Sequence, residues 1–256
     1  MSRLARRRAF RVLVATDGSP QSRGAAAAAT VFPWPAGVRP AFASATILGR
    51  PPVDGILARA RELGAGMIVT GSRGLGALGR LLRGSVSRDL ARRAPCPVLV
   101  VKGRPRQMRR LVLGLDGSAN SRRAAALVLR LRPPHGGRVT VVRVVEPIRL
   151  PSLAQLPPVV RARLRSEAMA LRRQALGAAR RQVEEARERL ERAGWPARSL
   201  VLTGVPLPEL LRAAGAARAQ LLVVGARGAG GLARRLLGSV ADGAVARSPV
   251  SVLVVK

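Results

Sequence analysis

Short apolar runs alternate with segments of helical periodicity along most of the chain. In the second half, apolar runs of strand length lie at residues 110–115, 138–146, 199–202, 221–224 and 252–255. Between these runs, apolar residues recur every three or four positions, which predicts helices. Short strands that alternate with helices indicate a parallel α/β sheet covered by helices on both faces. The second half is therefore predicted to contain five strands and four helices in alternation.

The end of the chain repeats an earlier segment. Gly225 to Lys256 aligns without a gap with Gly71 to Lys102, 154 residues earlier, and 17 of the 32 positions are identical. An Asp-Gly-Ser turn also follows an apolar run near the start of each half. The repeat predicts two tandem domains, residues 1–104 and 105–256, with the boundary in the segment Arg104-Pro105-Arg106-Gln107.

The first copy is shorter than the second. Between the Asp-Gly-Ser aspartate and the first glycine of the repeat, it has 55 fewer residues. In the second copy the additional residues contain a strand at 138–146 and a long amphipathic helix at 157–194. The 3–4 spacing of its apolar residues favours packing in the core, although such a helix can also recruit a partner. The first copy is therefore predicted to be truncated, so that its strand at 43–48 pairs directly with its first strand.

The repeated segment carries glycines at a fixed spacing, Gly225-x2-Gly228-x9-Gly238-Ser239. A strand that stops at glycine, followed by Gly-Ser at the start of a helix, is typical of a phosphate-binding loop, because the free N–H groups of the helix face the anion. The turn containing Asp116 and this loop both follow strands, so both are expected at the carboxyl edge of the sheet, where ligands bind in such folds. The alternative interpretation is that the glycines only turn the chain and the aspartates only cap helices.

Other phosphate-binding motifs fit less well. The Gly-Lys-Ser/Thr of a Walker A loop is absent. The first copy of the loop contains G-x-G-x-x-G (Gly74, Gly76, Gly79), and the second contains G-x-G-x-x-A (Gly228, Gly230, Ala233). In both copies this pattern follows the strand before the last rather than the first strand, and no acidic residue ends the next strand. A dinucleotide site needs both features, so a nicotinamide cofactor is disfavoured.

Composition narrows the function further. One cysteine, Cys96, and one histidine, His135, leave no cysteine- or histidine-based metal cluster. Cys96 is expected to be a small buried hydrophobe, and His135 a solvated turn residue.

No apolar run reaches the length of a membrane helix, and the basic N-terminus is not followed by a signal-peptide core, so a cytoplasmic location is expected. The net charge of +33 is spread over both halves and favours phosphate-rich ligands and non-specific nucleic acid.

Taken together, these motifs resemble the universal stress proteins in their tandem two-domain form. The resemblance rests on Asp-Gly-Ser after the first strand, Val-Val-Glu-Pro after the second, Gly-x-Pro after the third, and the glycine loop followed by Pro-Cys-Pro-Val-Leu-Val-Val. It covers nearly the whole chain. It implies two Rossmann-like, adenine-nucleotide-binding α/β domains with strand order 3-2-1-4-5 in the complete copy. It also implies that the last strands pair, within one chain or between two chains.

The resemblance further implies site residues. Asp116 would lie against the ribose or adenine, and Val144 against the adenine edge, whereas the ribose and phosphates would be held by Gly225, Gly228, Gly238, Ser239 and Val240. The corresponding residues of the first copy are Asp17, Gly71, Gly74, Gly84, Ser85 and Val86. Val144 has no counterpart there, so ATP, with any Mg²⁺ carried by the nucleotide, is expected mainly in the second copy.

Three functions follow from this sequence. The favoured one is an ATP-binding regulatory protein of the stress response, without catalytic residues. A slow ATPase of the same fold is the second, and the formation of ADP would distinguish it. The third is a basic nucleic-acid-associated protein. It is disfavoured because the chain has no tyrosine and no stacking motif.

Overall fold

The computed structural model describes most of the chain. The described residues are 10–16, 20–35, 41–45, 52–72, 85–148, 152, 155, 157–228 and 237–256. Among the helices in these ranges, none combines the length and apolar character needed to cross a membrane.

Strands and helices alternate in the first half as the apolar pattern predicts. The elements are β1 (Arg11–Ala15), α1 (Pro20–Val31), β2 (Ala41–Ala45), α2 (Pro52–Leu63), β3 (Met67–Gly71), α3 (Ser85–Arg93) and β4 (Val98–Val101). The strand predicted at 43–48 begins two residues earlier, and residues 46–50 lie outside the described ranges.

The second half contains the five predicted strands and four predicted helices. They are β5 (Arg110–Leu115), α4 (Ala119–Arg130), β6 (Arg138–Val145), α5 (Pro158–Arg192), β7 (Ala197–Thr203), α6 (Pro206–Ala216), β8 (Leu221–Gly225), α7 (Ser239–Arg247) and β9 (Ser251–Val255). The boundaries differ from the predicted ones by a few residues.

The nine strands of the described residues form one sheet, in the order β2-β1-β3-β4-β9-β8-β5-β6-β7. Counted from β5, the second half has the strand order 3-2-1-4-5, so the predicted fold is confirmed. In the first half, β2 pairs directly with β1 in parallel, as the missing strand and helix require. Every strand pair in the sheet is parallel except that between β4 and β9.

The two last strands, β4 and β9, pair with each other in antiparallel orientation, which joins the halves within one chain. Leu99 lies opposite Leu253, its own equivalent in the repeat. Arg88 and Asp242 are also equivalent positions, and Arg88 Nε donates a hydrogen bond of 3.0 Å to Asp242 Oδ1. Residues that meet their own equivalents mark a local pseudo-twofold axis between the halves.

Helices cover both faces of the sheet, and each face has its own apolar cluster. One cluster packs under α2, α3, α6 and α7, and the other under α1, α4 and α5. Cys96 is buried in the first cluster, and this burial raises the pKa of its thiol to about 11. His135 is exposed in a turn, so both expectations from composition are confirmed.

The long helix α5 packs on the sheet with its C-terminal half alone. Ala179, Val183 and Leu190 are its buried residues, and they lie against β6 and β7. The prediction that the whole apolar stripe is core is wrong for the N-terminal half of the helix, where Val160 and Leu171 are 40% and 56% exposed. At 35 residues, α5 is about 50 Å long and is therefore longer than the strands it covers.

Candidate functional site

A cavity of about 550 Å³ opens at the carboxyl ends of β5, β6 and β8 in the second half. Its lining includes all seven residues predicted for the second copy, Asp116, Val144, Gly225, Gly228, Gly238, Ser239 and Val240. Because parallel strands bring their carboxyl ends to one edge, residues far apart in sequence meet here.

The Asp-Gly-Ser turn follows β5 and forms a hydrogen bond to the glycine loop. Asp116 Oδ1 accepts a hydrogen bond of 2.9 Å from the N–H of Ser118. The Ser118 hydroxyl caps α4 by accepting from the N–H of Ser121, and it donates to the Arg227 carbonyl at 3.1 Å. The capping role that the alternative interpretation gave to Asp116 therefore belongs to Ser118.

Asp116 carries a negative charge inside the cavity. Burial by itself would raise the pKa of this carboxyl. Hydrogen bonds from Ser118 and Ser121, together with the positive charge of Arg143, outweigh the burial and lower the pKa below its ordinary value. The carboxylate is thus ionised at neutral pH and available to accept hydrogen bonds.

Three glycines of the loop lie where a side chain would collide with the site. A Cβ on Gly225 would come within 2.7 Å of the Ser121 nitrogen. A Cβ on Gly228 would come within 2.8 Å of Asp116 Oδ2, and one on Gly238 within 3.2 Å of the Arg227 Cα. The glycine spacing in the sequence thus corresponds to three close approaches: Gly225 to the start of α4, Gly228 to Asp116, and Gly238 to the backbone at the other end of the loop.

The N-terminus of α7 faces the cavity. The N–H of Asp242 donates to the Gly238 carbonyl at 2.8 Å, which makes it the first intrahelical hydrogen bond. The N–H groups of Ser239, Val240 and Ala241 precede that bond, and Gly238 provides no side-chain cap. All three residues line the cavity, so their N–H groups and the positive end of the helix dipole form an anion-binding position.

The first copy is described in part at the corresponding place. Gly71 ends β3, and Ser85 and Val86 begin α3. Val86 packs against the apolar core. Asp17, Gly74 and Gly84 lie outside the described residues. The wall that β6 and α5 supply in the second half has no counterpart in the first, because the sheet passes from β1 directly to β2.

Several lining residues were not predicted from the sequence. The long helix α5 contributes Ala175, Ala178, Ala179 and Gln182, β6 contributes Arg143, and the chain following it contributes Glu146. Arg143 directly precedes Val144 in β6, but alternation along a strand points their side chains to opposite faces of the sheet. No sequence signal indicates that α5 turns back over the strand ends. Within the described ranges, no three histidine, cysteine, aspartate or glutamate side chains come close enough to hold a metal ion.

The model of the universal stress protein family matches residues 40–102 and 108–256. The chain therefore belongs to this family, and the match in two segments agrees with the tandem repeat.

Individual relatives agree with this assignment. The universal stress protein Rv2005c of Mycobacterium tuberculosis is 33% identical over 208 residues, which cover 75% of this chain and 62% of that protein. A universal stress protein of Thermus aquaticus is 31% identical over 156 residues, covering 57% of this chain and 97% of that protein. The chain thus spans less than two thirds of the length of its mycobacterial relative.

Solved structures show the same fold. The crystal structure of a universal stress protein from Archaeoglobus fulgidus covers 97% of this chain and 99% of its own, with a TM-score of 0.59 and 19% sequence identity. The hypothetical protein MJ0577 covers 58% of this chain and 96% of its own, with a TM-score of 0.50 and 20% identity. At these identities, the likeness concerns the fold alone.

Proposed function

We propose that this universal stress protein binds ATP in the cavity of its second half and acts as a nucleotide-binding regulatory protein in the stress response. The observation that supports this most directly is the convergence of Asp116, Val144 and the glycine loop on one cavity. These residues are separated by up to 124 positions in the sequence, between Asp116 and Val240.

The phosphates are assigned to the start of α7. Three adjacent N–H groups and the helix dipole attract an anion there, and Ser239 adds a hydroxyl donor. Gly228 keeps the loop open beside Asp116, because any side chain would collide with the carboxylate. Mg²⁺ needs few protein ligands when phosphate oxygens and water complete its octahedron, so it would arrive with the nucleotide.

The nucleoside is assigned to the opposite end of the cavity. Val144 at the end of β6 and Leu210 of α6 provide apolar surface, and three alanines of α5 form a wall of small side chains. A flat base fits between such surfaces, because sites for small ligands are mostly apolar with a few polar groups that set the orientation. The first copy lacks β6 and α5, so we assign the binding mainly to the second half.

We infer that the protein binds ATP without rapid turnover. Asp116 lies beside the glycine loop, but its lowered pKa makes the carboxylate a weak base, so it is poorly suited to take a proton from water. Glu146, the other carboxylate of the lining, is exposed at the mouth of the cavity. Mass spectrometry of the nucleotide that co-purifies with the protein tests this inference: intact ATP supports a binding protein, and accumulation of ADP supports the slow ATPase.

The variant Gly238→Val tests the site itself. A side chain at this position meets the Arg227 backbone and obstructs the start of α7, so ATP affinity is expected to fall at least about a hundredfold in isothermal titration calorimetry. Gly215→Ala is the matched control, since a Cβ there meets nothing within 4 Å and ATP binding should be unchanged. Unaltered ATP affinity in a Gly238→Val protein with native circular dichroism would disprove the assignment.

A further inference from the structure

Arg143 has donors without acceptors. Among the buried side-chain nitrogen and oxygen atoms of the described residues, Nε and Nη1 of Arg143 are those that lack a hydrogen-bond partner. An unsatisfied buried donor is destabilising, more so when it is charged, and native proteins retain few such groups. Arg143 also lines the cavity, so a bound ligand is the natural source of the missing acceptors.

Gln182 lies beside this guanidinium. A Cβ placed on Gly117 would be 3.7 Å from Gln182 Nε2 and 3.8 Å from Arg143 Nη1, so both side chains end next to the same backbone position. Gln182 comes from α5 and Arg143 from β6, and both line the cavity. The pair therefore forms a polar patch on the α5 side of the cavity.

The charges nearby indicate which chemical group this patch accepts. Asp116 attracts Arg143 through space, and its carboxylate remains ionised because its pKa is lowered. Because that carboxylate balances the charge of Arg143, the two side chains together offer no net positive charge to a second phosphate. A hydroxyl group suits both residues, since its oxygen can accept from the guanidinium while its hydrogen is donated to a carboxylate.

We propose that Arg143 and Gln182 recognise a ribose hydroxyl and make the cavity selective for ribonucleotides over deoxyribonucleotides. The proposal rests on the assignment of a nucleotide to this cavity. It adds to the phosphate-binding position a second, polar subsite that holds the sugar.

Titration calorimetry of the full chain with ATP, 2′-deoxy-ATP and 3′-deoxy-ATP tests the proposal. We expect the weaker of the two deoxy analogues to bind about tenfold less tightly than ATP, because a site built to hydrogen-bond a hydroxyl rejects a ligand that lacks it. In Arg143→Met, ATP affinity should fall to that of this analogue, while the affinity for the analogue itself stays the same. If loss of the ligand hydroxyl and loss of the guanidinium are non-additive in this way, the hydroxyl interacts with Arg143.

Arg138→Met is the matched control. Arg138 begins the same strand at the opposite end and is exposed, so its replacement should leave all three affinities unchanged. Gln182→Leu provides a second variant that keeps the guanidinium, and we expect it to reduce the preference for ATP by a smaller factor than Arg143→Met.

Several results would overturn the proposal. One is that the wild-type protein binds ATP and both deoxy analogues with equal affinity. Another is that Arg143→Met lowers the affinity for all three ligands by the same factor. Tighter binding of adenosine 2′,5′-bisphosphate than of 5′-AMP would also overturn it, because the subsite would then prefer an anion. Failure of every nucleotide to bind would instead refute the ATP site itself, so the two failures are distinguishable.

Discussion

The two halves of this chain carry the same glycine repeat but differ in the elements around it. The second half places β6 and α5 beside its glycine loop and encloses a cavity, whereas the first half passes directly from β1 to β2. At the junction between β4 and β9, by contrast, the halves are nearly equivalent, and Leu99 meets Leu253. The comparison indicates that the repeat preserves the pairing of the halves, while the additional strand and helix of one copy enclose the cavity.

The largest expected effect, on the free energy of unfolding, tests whether the two halves contribute equally to the junction between β4 and β9. Leu99 and Leu253 are fully buried and opposite each other. Leu99→Ala and Leu253→Ala should each lower the free energy of unfolding by about 2–5 kcal/mol, because each leaves a cavity in the core. Urea unfolding followed by circular dichroism measures both losses. A loss below about 1 kcal/mol for one leucine alone would show that the junction is asymmetric.

A smaller expected effect, on ATP affinity, tests whether the two glycine loops differ in nucleotide binding. Ser239 lines the cavity, and Ser85 is its equivalent in the first copy. Ser239→Ala should weaken ATP binding by about 1 kcal/mol, roughly fivefold, through the loss of one hydrogen bond to phosphate. Ser85→Ala should leave the affinity unchanged. Calorimetry of both variants checks this, and a stoichiometry near two ATP per chain would contradict the inequality.

The smallest effect concerns the charge pair on the pseudo-twofold axis. Arg88 and Asp242 occupy equivalent positions with opposite charges, and their side chains are 40% and 27% exposed. Arg88→Asp or Asp242→Arg should cost about 0.5–1 kcal/mol of unfolding free energy, since like charges then meet and solvent screens them in part. The exchanged double variant should regain most of this loss. A double variant as unstable as the sum of the single ones would show that the pair contributes no specific coupling.

The same charge pair bears on how the halves recognise each other. Pairing of two second halves from different chains would bring Asp242 against Asp242, and pairing of two first halves would bring Arg88 against Arg88. Unlike charges at one repeated position therefore favour pairing of the first half with the second. A homodimer of identical domains lacks this option, because equivalent positions there carry the same residue.

The sequence was sufficient for most of the fold. Apolar runs of strand length and 3–4 periodicity depend on local burial, so they predicted every strand and helix of the second half within a few residues. Two matching segments, 154 residues apart, predicted a tandem repeat. Because the first copy is 55 residues shorter, its second strand was predicted to pair directly with its first, as β2 does with β1. The residues marked by glycine or by Asp-Gly-Ser line the cavity, and the sequence indicates them because such turns require particular residues at fixed positions.

Only the tertiary structure decided what completes the cavity. Arg143 and Gln182 belong to an ordinary strand and an ordinary helix, and nothing in their local sequence distinguishes them from solvated side chains. They meet because α5 packs over β6, which depends on contacts between segments far apart in the chain. The local sequence therefore determined the strands, the turns and the glycine loop, whereas long-range packing determined the depth of the cavity, its polar patch and the burial of one half of α5.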